Sequence, residues 1–171
     1  MNLDFILGIL NIVLISTTPL VFAGIGELVT EKSGVLNLGL EGLMLVGAVS
    51  GFISLVITGN YFYSFILSIL SGVVLSSIFA FFVLRLLTNQ IATGLALTIF
   101  GIGLSAMLGK KFSGTPIIGL SPYYLIIFSF MLVFFINHLL YKTKVGLIIR
   151  AVGENHHSAY ALGYDVIKTR Y

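Results

Sequence analysis

"PYYLIIFSFMLVFFINHLLY" (residues 122–141) runs for twenty residues without an Asp, Glu, Lys or Arg. At 1.5 Å of rise per residue, a helix of that length covers about 30 Å, the thickness of a bilayer's hydrocarbon core. Lipid offers the backbone no hydrogen-bond partners, so only helices and closed barrels cross it. A barrel strand would show about ten residues of alternating polarity, whereas this run is continuously apolar. It reads as a transmembrane helix.

The rest of the chain repeats the pattern. No charged residue occurs in 42–84, in 86–109 or in 112–141. Of the 171 residues, 58% are hydrophobic and 9% charged, against about 25% charged in soluble domains. Five spans follow, at about 5–26 (with Pro19 inside), 35–58, 61–84, 91–109 and 122–141. The fold class is an all-α integral membrane protein of about five transmembrane helices, with a short cytoplasmic helical segment at 142–171. We read 1–171 as one transmembrane domain. Residues 1–4 lack the positive charge of a secretory signal, so the first apolar stretch is expected to be retained.

Orientation comes from the basic residues, which favour the cytoplasmic side. With the N-terminus outside, Lys32, Arg85, Lys142, Lys144, Arg150, Lys168 and Arg170 face the cytoplasm, and only Lys110 and Lys111 face outward. Inverting the chain reverses that ratio. The formal charge of +3 therefore serves topology and interfacial lipid, and we expect no nucleic-acid partner.

Polar residues inside the oil are the candidate functional groups. "GIGELVTEKSGVLNLGLEG" (residues 24–42) carries Glu27, Glu31, Lys32, Asn37 and Glu41. The first three charges read as an interfacial loop. Asn37 and Glu41, four apart, would share a face if helical. Ionisable groups at membrane depth usually face protein or water, so these two are candidates for a solute pathway. "TNQIATG" (residues 88–94) adds Asn89 and Gln90, which suit either the pathway or the start of a helix. Gly47 with Gly51, and Gly101 with Ser105, mark faces where backbones approach closely. "KKFSGTPIIGLSP" (residues 110–122) reads as an outward loop.

Catalysis has no visible apparatus. There is no cysteine, no H-E-x-x-H, no nucleophile elbow and no phosphate-binding GxxxxGK[ST] loop. His138 has no carboxylate at a productive spacing, and we assign no catalytic residue, no metal ligand and no cofactor to this chain.

The end of the chain, "KVGLIIRAVGENHHSAYALGYDVIKTRY" (residues 144–171), is different in kind. An apolar run at 145–152 is interrupted by Gly153. Asn155 stands at an N-cap position and Gly163 at a helix-closing C′ position, so 155–163 reads as one capped helix of about two turns. So short a helix is marginal alone. It needs either a cytoplasmic partner or the membrane surface.

Three stretches resemble the permease subunits of bacterial ABC importers for nucleosides and simple sugars, a family related to branched-chain amino acid permeases. They are "TPLVFAGIGELVTEKSGVLNLGLEGLMLVGA" (18–48), "NQIATGLALTIFGIGLSAML" (89–108) and "TKVGLIIRAVGENHHSAYALGYDVIKTRY" (143–171). The resemblance implies that the Gly-Glu-Asn loop and its following helix dock on an ATP-hydrolysing subunit. The matching positions here are Arg150, Ala151, Gly153, Glu154, Asn155, Ala159 and Gly163. His156 departs from the proline common after that Asn. Partners implied are an ABC ATPase subunit that binds the ATP, a second permease subunit, and an extracytoplasmic solute-binding protein or lipoprotein. The implied location is the bacterial inner (plasma) membrane, and the implied mechanism is alternating access, with nucleosides ahead of ribose-like sugars and branched-chain amino acids. Family members continue through further spans, so this chain is expected to correspond to the N-terminal part of a subunit, as a truncation, a split subunit or an incomplete sequence. A passive channel or membrane-assembly protein without a motor is the alternative from another class.

Overall fold

The computed structural model describes residues 3–171; Met1 and Asn2 of the N-terminal segment discussed above lie outside them. Five helices are long and apolar enough to cross a membrane. They are α1 (Leu3–Lys32), α2 (Leu40–Thr58), α3 (Tyr61–Ala80, continued by a π-helical turn at Phe81–Arg85), α4 (Gln90–Gly109) and α5 (Pro122–Lys142). Among the described residues, a 3-10 turn (Lys110–Phe112) follows α4, and three short helices follow α5: α6 (Lys144–Glu154), α7 (His156–Ala161) and α8 (Val166–Arg170). The chain divides into two compact units.

One unit comprises 35–118 with 170–171. Its α2 and α3 are joined by small polar residues. Ser64 Oγ donates to Gly51 O at 2.7 Å, Ser68 Oγ to Gly47 O at 2.8 Å, and the Ser50 and Ser71 hydroxyls pair at 2.7 Å. Hydroxyls that reach a neighbouring backbone need that backbone bare, which is what Gly47 and Gly51 provide. Between α2 and α4 the approach is closer. A Cβ on Gly101 would stand 2.5 Å from Gly42 Cα, and one on Gly42 would stand 2.6 Å from Leu97 O. Val35, Val46, Leu75, Phe79 and Leu97 are buried together in this unit's interior.

The other unit comprises 1–34 with 119–169. Phe22 of α1 and Phe128 of α5 meet with ring centroids 5.9 Å apart. Pro19 lies inside α1 and cannot donate to the preceding turn. The helix runs through it, and buried Thr18 donates its hydroxyl to Leu14 O at 2.7 Å. α5 passes into α6 through Thr143, whose hydroxyl accepts from Gly146 N at 3.2 Å.

Two boundaries differ from the sequence reading. α1 continues six residues past Gly26, so Glu27, Glu31 and Lys32 are helical rather than looped. At 1.5 Å per residue its 30 residues reach about 45 Å, longer than the hydrocarbon core. The turn falls instead at Gly34, whose φ of 83° suits glycine. α2 begins at Leu40, which leaves Asn37 in the connector and off any helical face shared with Glu41. The apolar run that Gly153 ends in sequence lies within α6, which runs to Glu154.

Candidate functional site

The polar connector before α2 is held by its own side chains. Asn37 is 6% exposed, and its Oδ1 accepts from Gly39 N at 2.8 Å. Gln90 Oε1 accepts from Leu36 N at 2.8 Å, and Thr98 Oγ1 donates to Leu38 O at 3.0 Å. Gly94 lets α4 come this near, since a Cβ there would lie 2.8 Å from Leu38 N. An irregular stretch lacks a helix's own hydrogen bonds, and here α4 supplies partners for its backbone. Asn89 caps α4, accepting from Ile91 N at 2.9 Å and Ala92 N at 3.2 Å. Glu41 is exposed in the first turn of α2. Of the four pathway candidates, Asn37 and Gln90 thus meet on one connector, through its backbone. Asn89 is engaged in capping, and Glu41 presents its carboxylate at the surface of this unit. Thr98 was missed in the sequence because a threonine on an apolar helix carries no distinguishing signal.

The C-terminal element is built from α6 and α7. Asn155 Oδ1 accepts from Ser158 N at 3.1 Å, capping α7. The other end closes with Gly163 at φ 87°, where Gly163 N donates to Tyr160 O at 2.9 Å and Tyr164 N to Ala159 O at 3.2 Å. That pair of bonds is the Schellman closure, which satisfies carbonyls the helix leaves open. Ala159 is buried, whereas Tyr160 and Leu162 are 74% and 77% exposed. His156 and His157 are exposed with ring centroids 4.1 Å apart. α7 is therefore capped at both ends, with Ala159 buried and Tyr160 and the C-capping Leu162 exposed.

α6 ties α7 to α1 and α5. A Cβ on Gly153 would meet Lys32 O at 2.2 Å, and one on Gly146 would meet Leu139 O at the same distance. Val152 of α6 and Leu140 of α5 are fully buried. Ala151 is half-buried. The Arg150 guanidinium carbon lies 4.9 Å from the centroid of the Tyr141 ring, a cation–π stack. Gly153 was legible as a small residue but not as a contact, because its partner lies on α1. Among the described residues no cluster of His, Asp and Glu is arranged to hold a metal.

Comparison with known proteins adds an independent line. Residues 9–171 match the family model described as branched-chain amino acid transport system / permease component. A relative from Haloferax volcanii, provisionally named a glucose ABC transporter permease protein, is 35% identical over 99% of this chain and 58% of its own length. The guanosine ABC transporter permease protein of Bacillus subtilis is 29% identical over 92% of this chain and 59% of its own length. The nucleoside ABC transporter permease protein of Lactococcus lactis subsp. cremoris is 30% identical, with coverage of 92% and 59%. The chain thus spans under three fifths of the length of each of these relatives. No solved structure matches it.

Proposed function

The chain belongs to the branched-chain amino acid transport system / permease component family, and from that membership we propose that it works as the N-terminal part of a permease subunit in an ATP-driven importer. The observation that carries this reading is the capped α7, which displays Tyr160 and Leu162 at the end of an element locked to α1 and α5. A short helix that exposes apolar side chains on a rigid mount is a docking knob, and apolar anchors of this kind carry most of a protein interface's energy.

In this reading residues 142–171 face the cytoplasm and α7 seats in an ATPase subunit, which binds and hydrolyses the ATP. Arg150, Ala151, Gly153 and Glu154 form the mount, and Asn155, Ala159 and Gly163 hold the knob in shape. Movement of the ATPase would reach α1 and α5 through the close contacts at Gly153 and Gly146. The transmembrane segments at 5–141 are one partial permease domain, which with a second permease subunit alternates access to a pathway. Asn37, Glu41, Asn89 and Gln90 are the proposed polar groups near that route. Nucleosides or simple sugars are the proposed solutes, delivered by an extracytoplasmic binding protein or lipoprotein, and the setting is a bacterial plasma membrane.

Co-expression with a cognate ATPase subunit tests the reading. The two should co-purify, and replacing Gly153, Glu154 and Asn155 together by alanine should abolish capture, with helical content checked by circular dichroism. Solute flux through the chain that persists without ATP or ATPase would instead make it a passive channel.

A further inference from the structure

At the ends of α1 and α5, a cavity of about 400 Å³ is lined by Glu31, Lys32, Tyr141, Arg150, Gly153 and Glu154. Two cations and two carboxylates border it, yet the ion pair found among the described residues is Lys168–Asp165, elsewhere in the chain. Arg150 is the most constrained of the four. Its guanidinium is stacked on Tyr141, and its Nε is sealed from solvent with no acceptor. Leaving a buried donor unmade is unfavourable, which favours a ligand that brings an acceptor to this group. Arg150 lines the cavity, and a guanidinium is the side chain best suited to bind an oxyanion through paired N–H donors.

The cavity is formed where two candidate spans end, beside the half-exposed Tyr141 ring, and tyrosines are enriched at the headgroup level of membrane proteins. Val145 and Leu147 of α6 are exposed and apolar, while Lys142 and Lys144 are exposed and basic. This is the composition of a helix lying on a membrane surface.

We propose that this cavity is a binding site for a phosphate–ammonium zwitterion, supplied by the headgroup of phosphatidylethanolamine. Arg150 and Lys32 take the phosphate, and Glu31 and Glu154 take the ammonium. The balanced charge decides against other lipids. An anionic headgroup such as phosphatidylglycerol satisfies the cations and leaves both carboxylates facing its negative charge. Choline carries a positive charge without an N–H, so it offers Glu31 and Glu154 nothing to accept. The ATPase-docking role of α7 is not required for this site, which faces headgroups rather than protein.

The test uses the full chain reconstituted in vesicles of equal parts phosphatidylethanolamine, phosphatidylcholine and phosphatidylglycerol, with native mass spectrometry of the lipid retained after release into detergent. Phosphatidylethanolamine should be retained about tenfold over either competitor, and Arg150→Gln should remove most of that preference. If Arg150→Gln fails to fold by circular dichroism, Glu31→Gln with Glu154→Gln serves instead, and should erase the discrimination between ethanolamine and choline. Equal retention of all three lipids, preferential retention of phosphatidylglycerol, or a preference unmoved by the folded variants overturns the proposal. So does occupation by soluble phosphoethanolamine with no retained lipid. Failure of the unsubstituted chain to capture an ATPase subunit, with lipid preference intact, counts against the docking reading alone.

Discussion

Gly101 sits on Gly42 so closely that a single methyl group has no place to go. A Cβ there would fall 2.5 Å from backbone, which no rotamer change relieves. Gly103, two residues along the same helix, has nothing within 4 Å of its Cβ position. The two glycines look alike in sequence and differ completely in consequence. Gly101→Ala should push α4 off α2 and cost about 1–3 kcal/mol, the range for overpacking a tight contact. Gly103→Ala should be neutral or slightly stabilising, since alanine is the better helix former. Thermal unfolding in detergent, followed by far-UV circular dichroism, separates the two outcomes. Equal melting temperatures for both variants would mean that α2 and α4 are not in backbone contact. Spacing had flagged Gly101 with Ser105 as a packing face. It gave no means of seeing Gly42 as the partner, because small-residue spacing marks a face and says nothing about what faces it.

At the scale of single helices, the ends were more legible than the middles. Asn155 and Gly163 were readable as caps because capping is a local interaction, complete within a few residues of chain. The role of Gly153 was not legible for the opposite reason: the Lys32 carbonyl that explains it is on α1. In the same way Asn37 and Glu41 look like helical neighbours by count, but the turn at Gly34 delays α2 until Leu40. The cap at Asn155 should be worth about 1 kcal/mol. Asn155→Ala would therefore fray α7 and increase amide hydrogen exchange at Ser158, whereas Asn155→Asp should preserve it. The next helix has an acid-sensitive start. The Lys168 backbone N–H donates to Asp165 Oδ1 at 3.1 Å, and this bond is the main reason the Asp165 carboxyl is held below its ordinary 3.8. The Lys168 ammonium, 3.4 Å from Oδ2, adds to the effect. A carboxylate whose folded value is depressed contributes stability above its unfolded value and loses it as pH falls through the folded one. The first turn of α8 should thus hold at pH 5 and loosen only once the pH drops below 3.8. The Lys168 amide chemical shift reports this directly, and Asp165→Asn should make it insensitive to acid over the same window.

For the molecule as a whole, helical membrane class was plain from charge-free runs, because the bilayer imposes length and composition on every span. Orientation has a different physical basis. It rests on seven basic residues against two, and each cationic residue near a span end favours the side that retains positive charge. The chain contains no cysteine, so single cysteines can be placed without disturbing native thiols. His156→Cys, on exposed α7, should resist a membrane-impermeant maleimide in intact cells and react after permeabilisation. Ser113→Cys, exposed in the loop after α4, should react in intact cells. The paired design matters, because one unreactive position alone is also what a buried thiol would give. If His156→Cys labels from outside while Ser113→Cys is protected, the chain is inverted, and α7 faces away from any cytoplasmic ATPase. The cavity around Arg150 would then face the outer leaflet, and the reconstituted lipid preference would still stand, because it depends on headgroup chemistry and not on the side of the membrane. Topology therefore bears on the motor connection and not on the lipid site, and labelling these two positions tells one from the other.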